Sequence, residues 1–221
     1  MATKPVRIWD WPVRVTHWSF VLLLPAMWAT GENKGWGWHF ALGHILLGLL
    51  IFRVIWGLVG TRTARFASFV KGPSAVLGYL RGAYDPTHQI GHSPLAALSV
   101  LALLGLMFVQ VGMGLFAGDP FDGATGPLNP LVGVTTADTI TETHEWFYWV
   151  VFAMVGLHLA AIAYYSAKLQ NLIGPMVVGT GEKALEVEGN SQPSVTALLG
   201  SVGVSAALAL WVYLGAPPFT N

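Results

Sequence analysis

The sequence predicts an all-α integral membrane protein: a helix bundle with a four-helix core and a fifth, C-terminal transmembrane helix. Only 10% of its 221 residues are charged, against about 25% in an ordinary soluble domain. The mean hydropathy is +0.58, and the apolar residues gather in five long stretches. A soluble domain of this size could not cover its surface with so few charges, so the helices are expected to face lipid.

Each stretch is long enough to cross a bilayer, which takes about 20 residues of helix. We predict the spans at 12–31, 38–59, 93–117, 143–167 and 195–215. Asp10 followed by Pro12 predicts an N-cap and first turn for the first helix, and Pro25 is expected to kink its far end. A four-helix domain then covers residues 1–180, and residues 181–221 form a linker and the additional helix.

The basic residues orient these spans. Ten of the eleven Lys and Arg residues fall on one side of the predicted membrane, and only Lys34 falls on the other. The positive-inside rule makes the first side cytoplasmic. The N-terminus is therefore expected in the cytoplasm and, after an odd number of spans, the C-terminus outside.

The first thirty residues also allow a second interpretation. A basic start, an apolar middle and the cleavage-like sequence AMWA are typical of a signal peptide. We favour a signal anchor that stays in the protein.

The chain contains no cysteine, which limits its redox chemistry. Disulfides, thiolate metal sites, iron–sulfur clusters and covalently attached c-type haem are excluded. A redox cofactor would have to be held noncovalently by His, Met or Tyr. The formal net charge is zero, so overall charge indicates no class of partner.

Two histidines bracket the apolar sequence HEWFYWVVFAMVGLH. His144 and His158 are fourteen residues apart, about 40° short of four full helical turns, so they share one helix face. Their separation along the helix is about 21 Å, too far for one metal ion but suited to two cofactors at different depths. His17 in the first span and His44 in the second match them in depth. The sequence therefore predicts two bis-histidine sites, a common way to hold haem b: His17 with His158, and His44 with His144.

Other histidines receive simpler interpretations. His39 lies five residues before His44, about 140° around the helix, so the two cannot serve one face; beside Trp36 and Trp38 it is interpreted as an interfacial residue of an aromatic belt. His88 and His92 are expected to be exposed in a cytoplasmic loop. A lone His in an apolar helix is more often a satisfied polar residue than a ligand. A haem-free protein that moves protons or metal ions would need polar residues along a path through the bundle, and the sequence has almost none.

The sequence resembles the bacterial cytochrome b561 and nickel–iron-hydrogenase b-type cytochrome family. The segments that carry the likeness are RIWDWPVRVTHW, LGHILLGLLIFRVIWGLVGTRTARF, GHSPLAALSVLAL and HEWFYWVVFAMVGLHLAAIAYYS. The resemblance implies a four-helix core with two haem b groups, and by position it assigns the ligands to His17, His44, His144 and His158. The fifth span has no counterpart in that core.

The family also implies a function in the bacterial inner membrane. We expect electron transfer between the quinone pool and a periplasmic redox partner, such as a cytochrome c or a dehydrogenase or hydrogenase subunit. The chain would then be the electron-transfer subunit of a membrane oxidoreductase complex. The alternative is a self-sufficient superoxide:quinone oxidoreductase, which would favour a cationic outer surface. No nucleic-acid partner is expected.

Several further residues are candidates for supporting roles. Arg14 and Arg53 could neutralise the propionates of the cytoplasmic haem, although the positive-inside rule explains both equally well. Possible hydrogen-bonding partners for a quinone are Gln110, Tyr164, Tyr165 and Ser166; as structural residues all are also unremarkable.

The loop between the third and fourth spans is acidic. It contains no Lys or Arg, and its acids are Asp119, Asp122, Asp138, Glu142 and Glu145. This loop could steer a basic redox partner, or acids could simply be tolerated on that side. The fifth span has small residues at Gly203 and Ala207 that suit close helix packing, either against its own bundle or against another subunit.

Overall fold

A computed structural model describes residues 2–82, 89–119, 123–168 and 171–219. Five long helices dominate these residues, joined by short helices and strands. In chain order the elements are β1 (Thr3–Arg7), α1 (Trp11–Glu32), α2 (Trp36–Val59), α3 (Phe66–Phe69), α4 (Pro73–Leu80), α5 (Pro94–Phe116), β2 (Gly118–Asp119), β3 (Ala124–Thr125), a 3-10 turn (Asn129–Leu131), α6 (Val134–Ala167), α7 (Ile173–Val178), β4 (Thr180–Ala184) and α8 (Val195–Tyr213).

The predicted helical class is confirmed, and each predicted span coincides with a helix. Within the described residues, α2, α5, α6 and α8 are the four helices long and apolar enough to cross a membrane. Helix α1 is long enough, but it carries Arg14 and His17 and is less apolar than the other four. Its passage through the membrane stays a prediction.

Helix α6 begins at Val134, well before the predicted residue 143. The added turns are rich in Thr and acids, so hydropathy does not reveal them. Thr141 holds them in place, because its Oγ1 accepts from the backbone N–H of Gly118 at 2.9 Å and donates to the carbonyl of Ala137 at 2.8 Å. The acidic residues of this stretch therefore lie on a helix and not in a loop.

The chain forms two compact units. The first unit comprises residues 1–18, 53–102 and 156–201, and the second comprises residues 19–52, 103–155 and 202–221. Each of the five long helices is divided between the two units, so each contributes residues to both. The predicted division at residue 180 stays a prediction.

A two-stranded sheet in the first unit joins the N-terminal segment to the segment that follows α7. Strand β1 pairs antiparallel with β4, with Thr3 opposite Ala184 and Arg7 opposite Thr180. The chain enters β4 through Gly179, which has a φ of +91° and ends α7 in the left-handed conformation that glycine adopts without strain. A side chain there would also collide with Arg14, whose Nη1 lies 2.8 Å from the position of an added Cβ.

Asp10 organises the polar interior of the first unit. Its Oδ1 accepts from the backbone N–H of Val13 at 2.8 Å, which confirms the predicted N-cap of α1. Its Oδ2 accepts from the indole N–H of Trp56 at 2.9 Å and from the hydroxyl of Thr61. Asn190 donates to the same Thr61 hydroxyl at 2.9 Å. These bonds join the start of α1 to the end of α2 and to the segment after β4.

In the second unit, α8 packs against α2. A Cβ added at Gly48 would lie 3.6 Å from the Cβ of Ala209, so small residues bring the two helices close. The side chain of Ser205 is buried. The fifth helix therefore has a structural role within its own chain, while contact with another subunit stays a hypothesis.

Candidate functional site

The second unit brings the rings of two histidines close together. The ring centroids of His39 on α2 and His144 on α6 lie 6.3 Å apart, and the ring planes cross at 85°. An imidazole nitrogen binds a metal at roughly 2 Å, with the ring centre about 1 Å farther, so two axial imidazoles on one iron have centres about 6 Å apart. The observed spacing suits a pair that shares one iron. We refer to these residues as the His39 pair.

The hydrogen bonds of the His39 pair leave one nitrogen of each ring free. The Nδ1 of His39 lies 3.0 Å from the carbonyl oxygen of Met27, and the Nδ1 of His144 lies 3.0 Å from that of Gln110. A carbonyl only accepts, so each Nδ1 carries the hydrogen and each Nε2 keeps its lone pair. This is the arrangement in which proteins orient a metal-binding imidazole.

Glycines make room for both rings. A Cβ added at Gly31 would lie 3.2 Å from the His39 ring, and one added at Gly114 would lie 3.0 Å from the His144 ring. Such contacts are tighter than ordinary van der Waals packing. The residues present therefore fit a bis-histidine haem: paired imidazoles, suitable tautomers and a cradle of small residues.

The structure does not bring His44 to the position predicted for it. The Nδ1 of His44 lies 2.7 Å from the carbonyl oxygen of Phe40, its ring stands edge-on to Tyr213 on α8 at 5.1 Å, and its Nε2 is buried without a partner. The ring facing His144 is that of His39, which the sequence analysis interprets as interfacial. His39 and His144 each lie one residue inside a predicted span, at 38 and 143, whereas His44 lies six residues inside. Closer attention to depth would have selected His39.

The first unit contains the other predicted pair. His17 on α1 and His158 on α6 interact electrostatically, and the Nδ1 of His17 is buried without a partner. Trp18 stands perpendicular to the His17 ring at a centroid distance of 5.2 Å. Both residues belong to the first unit, and we refer to them as the His17 pair; that they share one haem stays a prediction.

Both predicted arginines lie in the first unit and bond to backbone carbonyls. Arg14 donates through Nη2 to Val177, while its Nε is buried without a partner. Arg53 is 6% exposed, donates to the carbonyl of Ala64 at 3.3 Å and lies over the Phe66 ring at 5.1 Å. The free Nε of Arg14 could serve a propionate oxygen, and that role remains a prediction for both arginines.

The expectation of an exposed His92 is wrong. Its ring lies between Trp9, at a centroid distance of 4.7 Å, and Phe69, at 4.3 Å, and its Nδ1 is buried without a partner. Desolvation lowers the pKa of His92 to about 3, and the charges of Arg53 and His158 add to the effect. The sequence shows a polar residue before a helix, but the covering aromatic rings come from distant segments. His88 lies outside the described residues.

The predicted quinone residues have other partners. Gln110 donates from Nε2 to the carbonyl of His144 at 3.0 Å, so it supports the His39 pair, while its Oε1 is buried without a partner. The hydroxyl of Tyr165 bonds to that of Tyr79. Tyr164 is exposed, with the ammonium of Lys168 over its ring at 4.7 Å. Ser166 is also exposed.

Three of the predicted acidic residues form a stripe on the surface of the second unit. Asp138, Glu142 and Glu145 are exposed on α6, and their spacing of four and then three residues places them on one helix face. Asp119 is half-buried in β2, and Asp122 lies outside the described residues. We call the three residues on α6 the acidic stripe.

Comparison with known proteins identifies the family to which the chain belongs. The proteins named probable Ni/Fe-hydrogenase B-type cytochrome subunit from Azotobacter chroococcum and Azotobacter vinelandii are each 28% identical over 215 residues, covering 79% of this chain and 87% of the relative. The probable Ni/Fe-hydrogenase 1 B-type cytochrome subunit of Escherichia coli K12 is 25% identical, covering 69% of this chain and 80% of the relative. No solved structure matches. The sequence model described as prokaryotic cytochrome b561 matches residues 8–179, so the chain belongs to that family of b-type membrane cytochromes.

Proposed function

We propose that the chain carries electrons across the bacterial inner membrane through two haem b groups, each held by two histidines. The ligands of one haem are His39 and His144, and those of the other are His17 and His158. The observation that carries the proposal is the geometry of the His39 pair, with centroids 6.3 Å apart and both Nδ1 atoms on backbone carbonyls. Membership of the family indicates that the cofactor is haem b and that the protein lies in a membrane.

The protein's part in the chemistry would be to hold the haems in place, through His39 with His144 and His17 with His158. When bound, haem supplies a one-electron couple at its iron. Two histidines holding one haem would leave its iron no free position for oxygen or another ligand, which would favour electron transfer over activation of a substrate. Helix α6 contributes His144 to one pair and His158 to the other, about 21 Å apart along its axis at 1.5 Å per residue.

We further propose the orientation and the arrangement of the chain. Residues 1–180 form the cytochrome domain, and residues 181–221 form a linker and an added helix. The N-terminus lies in the cytoplasm and the C-terminus in the periplasm, because ten of the eleven Lys and Arg residues fall on the cytoplasmic side. The His17 pair then serves the cytoplasmic half of the membrane, where Arg14 and Arg53 can balance the haem propionates. The His39 pair serves the periplasmic half.

The acidic stripe supports a periplasmic partner with a basic docking surface. The relatives are named as subunits of Ni/Fe-hydrogenases, so we propose a hydrogenase-type redox subunit or a cytochrome c as partner and the quinone pool as the other terminus. Superoxide is a less suitable substrate, since the exposed carboxylates of Asp138, Glu142 and Glu145 would repel an anion.

The proposal is tested on detergent-purified protein by a reduced-minus-oxidised visible spectrum and a pyridine haemochrome assay against protein mass. We expect low-spin b-type bands and about two haems per chain, since two bis-histidine sites are proposed. A colourless protein would overturn the proposal. One haem per chain would overturn the two-haem arrangement while leaving a b-type cytochrome.

A further inference from the structure

Two hydrogen bonds join Gln110 on α5 to His144 on α6, one in each direction. The backbone carbonyl of Gln110 accepts from the Nδ1 of His144 at 3.0 Å, and the side-chain Nε2 of Gln110 donates to the backbone carbonyl of His144 at 3.0 Å. A carbonyl oxygen only accepts, so the chemistry of the groups fixes both directions. Gln110 is thus bonded to both the ring and the backbone of one proposed haem ligand.

The amide of Gln110 comes at a cost to stability. Its Oε1 is buried without a partner, and an unsatisfied buried acceptor costs about 1–3 kcal/mol. A side chain of similar length without an amide, such as Met, would avoid this cost in a helix that is otherwise almost wholly apolar. What such a side chain could not supply is the hydrogen bond to His144.

The same face of α5 also makes room for the His144 ring. Gly114 follows Gln110 by four residues, one turn along the helix, and a Cβ added there would lie 3.0 Å from the Cε1 of His144. The ring therefore lies close against α5, with its Nδ1 bonded to Gln110. Its position depends on this helix as well as on α6.

The Nδ1 hydrogen bonds differ between the two histidine pairs. Both rings of the His39 pair donate from Nδ1 to backbone carbonyls, whereas the Nδ1 of His17 is buried without a partner. An imidazole that donates from one nitrogen is a more basic ligand through the other. A more basic ligand favours ferric over ferrous iron, so these hydrogen bonds favour a lower potential for the haem of the His39 pair.

We propose that Gln110 is a positioning residue that acts through His144. It lowers the midpoint potential of the haem of the His39 pair below that of the haem of the His17 pair. The inference rests on the proposed function, because it takes these histidines as the axial ligands. Loss of the Nε2 bond would free the backbone of His144 from α5 and weaken the bond from its Nδ1 to the carbonyl of Gln110. The ligand would become less basic, and the potential would rise.

The order of the two potentials is tested by potentiometric titration of the haem-loaded protein in detergent, followed in its visible bands. The wild type should show two midpoint potentials. His39→Ala is expected to keep only the haem of the His17 pair, and it thereby shows which potential belongs to which haem. We expect the potential that remains to be the higher of the two. If it is the lower, the proposed order is overturned.

The role of Gln110 is tested by Gln110→Met, which removes the donor and keeps the length of the side chain. We expect the lower potential to rise by an amount that changes the ratio of reduced to oxidised haem about threefold, or about 28 mV for a one-electron couple. The higher potential should not change. The matched control is Val109→Met, which places the same side chain on an exposed neighbour in α5 and should leave both potentials unchanged.

The electron paramagnetic resonance spectrum of the oxidised protein gives a second readout. The g values of a low-spin ferric haem respond to the angle between its two axial imidazoles, which is 85° between the rings of His39 and His144. The signal of this haem should shift in Gln110→Met and not in Val109→Met. Gln110→Asn keeps an amide donor on a shorter side chain and should cause smaller shifts in both readouts; this milder variant decides the case if Gln110→Met holds only one haem.

Two results would overturn the role of Gln110. One is an unchanged potential and spectrum in Gln110→Met, and the other is an equal shift in Val109→Met, which would assign the effect to α5 as a whole. Wild-type protein that holds no haem would instead overturn the proposed function.

Discussion

The imidazole of His39 faces that of His144 at a centroid distance of 6.3 Å, with the two ring planes nearly perpendicular at 85°. Each ring is held by a hydrogen bond from Nδ1 to a backbone carbonyl, of Met27 and Gln110 respectively. This geometry leaves both Nε2 atoms available to one iron. It also separates the roles of the two histidines on α2, since His44 instead contacts Tyr213 on α8.

Replacing His39 by Ala is expected to remove one of the two haems. The His39 pair would lose an axial ligand, while the His17 pair would be unaffected because it belongs to the first unit. The pyridine haemochrome assay should fall from about two haems per chain to about one. The remaining haem should keep its midpoint potential.

His44→Ala is the matched control for this experiment, because both substitutions remove a histidine from α2. We expect this variant to retain both haems, with at most a loss of packing against α8. Loss of a haem in His44→Ala together with retention in His39→Ala would restore the ligand set predicted from the sequence.

Gly114→Ala is expected to disturb the His144 ring. The added Cβ would lie 3.0 Å from its Cε1 and 3.5 Å from its Nε2, and overpacking of this kind costs about 1–3 kcal/mol. The midpoint potential of one haem should shift while the other is unchanged, and the melting temperature should fall.

The control for Gly114 lies on the same helix. A Cβ at Gly112 would meet no atom within 4 Å, and Ala is favoured over Gly in helices by about 1 kcal/mol. Gly112→Ala should therefore leave both potentials unchanged. Equal effects of the two variants would show that helix α5, and not the His144 ring, responds to the substitution.

Asp10→Ala is expected to lower the stability of the first unit. It removes the N-cap of α1, worth about 1 kcal/mol, and leaves the buried donors of Trp56 and Thr61 without an acceptor, at about 1–3 kcal/mol each. A total loss of about 3–7 kcal/mol should appear as a lower melting temperature. Asp138→Ala removes an exposed acid and should change the melting temperature little; a similar loss in both variants would contradict the network.

Lysine substitutions in the acidic stripe are expected to slow reduction or oxidation of a basic cytochrome c. Asp138, Glu142 and Glu145 share one exposed helix face, so reversing their charges would replace attraction by repulsion. Stopped-flow rates measured from low to high salt should fall for the wild type and rise for the lysine variant, because salt screens attraction and repulsion alike. Rates independent of salt in the wild type would exclude docking on this stripe.

The sequence alone predicts the long helices because each is a continuous apolar run. It does not predict the pairing of Thr3 with Ala184, which joins strands far apart in the chain and leaves no local signal. The start of α6 at Val134 is missed for a related reason, since its polar first turns are held by a contact with Gly118. Tertiary contacts decide such features, and local patterns do not.

The histidines show the same limit within a single helix. Helical periodicity correctly separates His39 from His44, because residues five apart cannot share a face. Which of them faces α6 depends on how far each lies from the end of α2. It also depends on the carbonyl of Met27, which accepts a hydrogen bond from the His39 ring and so orients it. His92 likewise looks like a loop residue until Trp9 and Phe69 are seen to cover it.

His92 predicts how stability depends on pH. Its pKa is lowered to about 3 by desolvation first and then by the charge of Arg53, whereas a histidine in the unfolded chain titrates near 6.5. The fold therefore requires the neutral ring, and the stability that this ring contributes is fully present above about pH 6.5 and is lost as the pH falls toward 3. At pH 5 the loss should be roughly 2 kcal/mol, from about 1.4 kcal/mol per pH unit below 6.5.

The prediction is checked by measuring the melting temperatures of the wild type and of His92→Gln between pH 8 and 5. The two proteins have every other titrating group in common, so the melting temperature of the wild type should fall more steeply below about pH 6.5. Parallel curves would mean that His92 becomes protonated in the folded protein without cost, for example through water in a cavity that it lines.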